Sequence, residues 1–115
     1  MDGVAYNGLA MGDDVRERLE GLSGSARRLL DYVAVLEGGA RYAVLRHIAR
    51  VSEEDMVVDL KEVVDAGILA VRPGDPNMYD FIDASLRAYV VSEIGEVRLP
   101  KLRARAEAAR KRVVG

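Results

Sequence analysis

The residues able to do chemistry are few, and their types narrow it quickly. The chain of 115 residues contains no cysteine and one histidine, His47. Without Cys there is no disulfide framework, thiolate metal site or cysteine nucleophile. A single His lacks the companions of a metal centre or a hydrolytic triad, and His47 stands beside the apolar positions Val44, Leu45 and Ile48, as a surface residue would. The paired acids Asp13–Asp14 and Glu53–Glu54 have the residue types for general acid–base work. Both pairs open helical stretches, where the helix dipole favours negative charge. Ser23 and Ser25 stand where helix caps belong and read as caps, not nucleophiles. The phosphate-loop pattern GxxxxGK[ST] is absent. These residues imply a chain with no catalytic centre, metal or cofactor.

Charge is the chemistry that remains. The net charge of −2 conceals a strong asymmetry: residues 1–50 are neutral, residues 51–97 carry −8 and residues 98–115 carry +6. Such segregation matters for the choice of partner. The acids concentrate on the stretch from Glu53 to Ala66, where Glu54, Asp55, Asp59 and Glu62 are candidate protein contacts. The bases concentrate at the C-terminus. There Lys101, Arg103, Arg105, Arg110, Lys111 and Arg112, with Arg72 and Asn77 further back, are candidate contacts for nucleic acid or an acidic partner.

Elements must position these charges. The length and 12.6 kDa mass fit one domain, and with five Tyr and one Phe the core must come from Leu, Val, Ile and Ala. Residues 1–12 are Gly-rich and aperiodic and read as a flexible arm. A short helical stretch follows over 13–20. Ala26, Leu29, Leu30, Val33 and Leu36 recur at helical spacing, so a helix capped by Ser23 or Ser25 runs to about Leu36, stopped by Gly38–Gly39. A shorter helix covers Tyr42 to Arg50. Ser52 caps a third, with Met56, Val57, Leu60, Val63 and Val64 as its stripe and Gly67 as its left-handed terminus. The period then changes. Ile68–Arg72 and Met78–Ile82 are β-prone, separated by the turn formers PGDPN, and predict a hairpin with Tyr79 and Phe81 in the core. Asp83 caps a fourth helix ending near Gly95, and Pro100 suits the first turn of a last, basic helix.

Three helices followed by a hairpin is the order of a winged helix-turn-helix, so the predicted fold is mainly α (α+β), with a two-stranded wing and additional C-terminal helices. The winged helix with its helical extension occupies 13–95, and the basic helix 96–115. The sequence also resembles a known family. LSGSARRLLDYVAVLEGG is similar to the "L-S-x-x-A-R-x-L-L…A-A-V-L-G" opening of the winged helix that follows the nucleotide-binding domain in signal-transduction ATPases with numerous domains, a class that includes large LuxR-type transcriptional regulators. LKEVVDAGIL resembles that family's "L-x-x-L-V-x-A-G-L-L", and PGDPNMYDFIDASLRAYV its "G-x-x-x-Y-x-F-x-H-x-L-x-R-x-x-L". LPKLRARAEAARKRV resembles the helix "R-R-x-x-L-H-x-R-I-A-x-A-L" that leads into helical repeats. One departure matters: Asp83 stands where the family has a His that helps sense the bound nucleotide.

The resemblance implies a non-catalytic regulatory module working by domain–domain or protein–protein contact. The partners it implies are a neighbouring ATPase domain of a parent protein, another protein, or a second copy of this chain. A DNA-binding transcription factor using the wing and the basic C-terminal helix is the alternative. The third helix argues against reading DNA. Its net charge is about −5, which repels phosphates, and it offers no Arg, Asn or Gln to purine edges. No apolar run approaches the ~20 residues that cross a bilayer, and the N-terminus lacks a signal pattern, so no membrane partner and a cytoplasmic location are expected.

Overall fold

The structure is a computed structural model and describes residues 15–114. The arm assigned to 1–12 and the pair Asp13–Asp14 lie outside the described residues. The first helix, α1, covers 15–20 and buries Leu19. Helix α2 (Gly24–Ala34) starts where the Ser23 side chain accepts from the Ala26 amide at 3.2 Å, and its buried stripe is Ala26, Leu29, Leu30 and Val33. It stops two residues short of the expected Leu36. Leu36 is still buried, but it lies in the turn into Gly38 and Gly39, both with positive φ.

A strand that the periodicity does not announce comes next, β1 (Ala40–Arg41). Two residues are too few to display alternation, so only the partner strand reveals it. Helix α3 (Tyr42–Ala49) follows at once and buries Val44, Leu45 and Ile48. It closes on Arg50 in the left-handed conformation at φ 56°. Ser52 then caps α4 (Glu53–Asp65) by accepting from the Asp55 amide at 3.0 Å. The end of α4 is a Schellman motif. The Ile68 amide donates to the Val63 carbonyl, and the amide of Gly67, at φ 76°, donates to that of Val64.

Strands β2 (Leu69–Arg72) and β3 (Asp75–Phe81) form the expected hairpin, but its loop is shorter than PGDPN. Leu69 pairs with Phe81 and Val71 with Tyr79. The register then slips, so that Arg72 pairs with Asp75 across Pro73–Gly74. The turn formers Asp75, Pro76 and Asn77 therefore belong to an irregular stretch of β3. Strand β1 adds to the other edge of β3, with Ala40 opposite Tyr79, giving a three-stranded antiparallel sheet in the order β1-β3-β2 in place of a two-stranded hairpin.

Asp83 caps α5 (Ala84–Val114), accepting from the Leu86 amide at 3.0 Å. The helix breaks once, at Gly95 (φ 86°, ψ 164°), and resumes immediately, so the last segment begins earlier than Pro100. That segment is not an appendage. Leu102, Ala106 and Ala109 are buried in the same core as Leu30, Leu45, Met56, Ile68 and Leu86. The architecture is mostly helical with one small antiparallel sheet, an α+β fold. Among the described residues no helix is long and apolar enough to cross a membrane.

Candidate functional site

The acids of α4 do not form one face. Asp59 is buried, only 7% exposed, and accepts from the Ser25 hydroxyl at 2.9 Å. Glu62 accepts from the Ser23 amide at 2.6 Å and from its hydroxyl at 2.9 Å. Both residues expected as protein contacts make bonds within the chain: they tie the start of α2 to α4, Asp59 buried and Glu62 half-buried. Sequence separations of 34 and 39 residues hide this from any local pattern. Glu54 and Asp55, with Glu53, remain exposed at the start of the helix.

The outward stripe of α4 is therefore Glu54, Val57, Val58 and Lys61, at helical spacings of three and four. Val57 is 53% exposed and Val58 63%. The helical spacing places Val57 in the buried stripe with Met56 and Leu60, but the helix turns it outward. Lys61 pairs with Asp65 at 2.8 Å, a contact that raises the pKa of the ammonium above its ordinary value, by hydrogen bonding first and by charge second. Beside the stripe, Tyr42, Val64, Val71 and Tyr79 line a shallow apolar groove of about 280 Å³ between α4 and the sheet. The buried Tyr42 hydroxyl has no partner among the described residues, and Val71 is 42% exposed.

The bases divide as well. Arg72 folds back, donating to the Gly38 carbonyl at 2.6 Å and lying 3.6 Å from Asp80, so the expected wing cation is committed to the fold. Arg110 donates to the Glu37 carbonyl at 2.5 Å. Arg105 donates to the Ile48 carbonyl at 3.1 Å and lies over the Tyr32 ring. Arg98 reaches buried Asp31 at 3.3 Å, which Arg27 also contacts at 2.8 Å. Arg98, Arg105 and Arg110 fasten the last segment to α2, α3 and the turn at Glu37. Asn77, Lys101, Arg103, Lys111 and Arg112 stay exposed.

One grouping escapes the sequence reading. Arg46, His47 and Arg50 at the end of α3 face Arg105 and Arg112 of the last segment across a cleft of about 600 Å³. The dense bases of the C-terminus are its only signal in the sequence, because the chain between them is long. His47 is exposed there, as expected.

Asp83 acts as a cap. Hydrogen bonds from the Ser85 hydroxyl and the Leu86 amide hold its carboxyl below the usual value. Among the described residues no three His, Cys, Asp or Glu side chains converge as a metal site. Comparisons with protein-family models, with curated proteins and with solved structures give no match, so the functional reading rests on these surfaces.

Proposed function

We propose that this chain is a non-catalytic regulatory module of winged-helix type whose α4 face binds protein, and that the first occupant of this face is a second copy of the chain. The order helix, strand, helix, helix and hairpin over α2 to β3 supports the winged-helix reading. In that reading α4 is the helix that would enter the major groove of DNA. Its outward stripe offers two valines between an acid, which repels phosphate, and a lysine already paired with Asp65, a poor set of groups for reading base edges.

The carrying observation is the symmetry of that stripe. Glu54, Val57, Val58 and Lys61 read acid, valine, valine, base. Two such helices laid antiparallel about a two-fold axis set Val57 against Val58 and Glu54 against Lys61 of the other copy. A two-fold interface requires this kind of self-complementary patch. The existing Lys61–Asp65 pair is exposed and worth little, so it yields readily. The groove lined by Tyr42, Val71 and Tyr79 extends the apolar area beyond the helix.

Sedimentation equilibrium on the whole chain tests the proposal. A reversible dimer is expected in the micromolar to millimolar range, and Val57→Glu with Val58→Glu should leave a folded monomer. A chain that stays monomeric throughout overturns the second copy as occupant and points to another protein, such as a neighbouring ATPase domain. Sequence-specific duplex binding that is lost on substituting Glu54 or Val58 overturns the protein-contact reading altogether.

A further inference from the structure

We propose that the cleft between the end of α3 and the last segment of α5 binds the phosphate backbone of nucleic acid without reading its sequence. The inference does not depend on the α4 interface. Arg46, Arg50, Arg105 and Arg112 line the cleft with His47, and among the described residues no acid lines it. None of the four guanidinium groups takes part in an ion pair with a described acid. Four unneutralised arginines around one concavity repel each other, and an anion removes that repulsion.

Local duties account in part for Arg105, but not for Arg46, Arg50 and Arg112. Cations in the last turn of α3 favour its dipole, but Arg105 from the last segment already serves the Ile48 carbonyl at 3.1 Å. Arg46 reaches the Val51 carbonyl only at 3.5 Å, and its buried Nε has no partner among the described residues. A buried donor without an acceptor is costly, so little holds the Arg46 guanidinium in place, and it is free to turn toward an anion in the cleft.

The shape favours an extended polyanion. Lys101, Arg105, Ala108 and Arg112 follow one another on a single helical stripe about 16 Å long at 1.5 Å per residue, and Ala108 leaves the floor open between the two arginines. The apolar lining is Ala108, Ala109, Val51 and the buried Ile48, mostly small side chains that offer little grip to the anchor side chain a peptide ligand normally needs. A nucleic-acid backbone needs only the row of cations.

The test is fluorescence anisotropy of the whole chain with a labelled duplex of about 20 bp across salt concentrations, read as the slope of log affinity against log salt. Arg50→Asn keeps a residue tolerant of the left-handed conformation, and Arg112→Gln changes an exposed side chain, so both variants should fold. Each should lower the magnitude of the slope by about 0.9, and together they should weaken binding at the lowest salt by about tenfold or more. Arg103→Gln, on the opposite side of the helix, should leave the slope unchanged, and changing the duplex sequence should not alter affinity. Absence of binding at low salt, an equal slope change in all three variants, or equal competition by polyglutamate would each overturn the proposal, the last by assigning the cleft to an acidic protein.

Discussion

Replacing Asp59 by alanine separates a surface acid from a structural one. Asp59 is 7% exposed and holds the Ser25 hydroxyl at 2.9 Å, joining the first turn of α2 to the middle of α4. A hydrogen bond to an ionised group contributes about 1.5–3 kcal/mol. The Ser25 hydroxyl retains a contact with the Ser23 hydroxyl at 3.4 Å and is itself partly hydrated, which favours the lower half of that range, about 2 kcal/mol. With a urea slope of about 1–3 kcal/mol per molar for a small domain, the unfolding midpoint should fall by about 1 M. Asp59→Lys should be far worse, because it places an ammonium among Leu29, Ala49 and Met56 with Arg28 in the same lining. Urea denaturation followed by circular dichroism measures both variants, and a cycle with Ser25→Ala isolates the pair. An unchanged midpoint for Asp59→Ala, or no coupling to Ser25, would refute the reasoning and return Asp59 to the surface.

Three further outcomes can be checked in the same way. Leu60→Ala, at 4% exposure on α4 beside Tyr42 and Tyr79, should destabilise by about 2–5 kcal/mol, read as a lower denaturation midpoint. Gly39→Ala should cost about 1–3 kcal/mol, because Gly39 has φ 113° and a Cβ there would stand 2.7 Å from Arg72 Nη2 and 2.9 Å from Met78 Sδ. Asp83 has a carboxyl pKa held below the unfolded value, so the unfolded chain takes up its proton first as pH falls. The contribution of Asp83 is complete above the ordinary Asp range of about 4 and is lost as pH falls through the folded value. Asp83→Asn, which keeps a good cap, should lose less stability between neutral and acid pH in denaturation series.

What the sequence discloses follows the range of each interaction. The stripe of α2, the caps at Ser23, Ser52 and Asp83, and the Gly67 terminus are set by residues three or four apart, and each is legible. Strand β1 is not, because two residues make a strand only by pairing with Tyr79 and Met78. The loop of the hairpin is misjudged because Asp75, Pro76 and Asn77 are turn formers that here sit in an irregular strand. The surfaces follow the same rule. The acidity of α4 is plain in its composition, but the burial of Asp59 and the capture of Glu62 by Ser23 depend on residues more than 30 positions away. Arg72 and Arg110 are likewise spent on distant carbonyls, while Arg46 and Arg50 join Arg112, and Arg105 with its bond to the Ile48 carbonyl, in a cleft visible only after folding.

The central claim, that the outward stripe of α4 pairs with its own copy, is tested most directly by a charge exchange read in sedimentation equilibrium. Glu54→Lys alone and Lys61→Glu alone each set like charges opposite one another across the two-fold axis. Each should weaken the dimer while changing the denaturation midpoint only slightly, since both residues are exposed. The double variant restores opposite charges at both ends of the stripe. It should dimerise nearly as well as the original chain, and recovery of this kind cannot come from a general change in net charge, which the double variant leaves as it was. A double variant as weak as the two single effects combined, or a chain that never dimerises, would contradict the account.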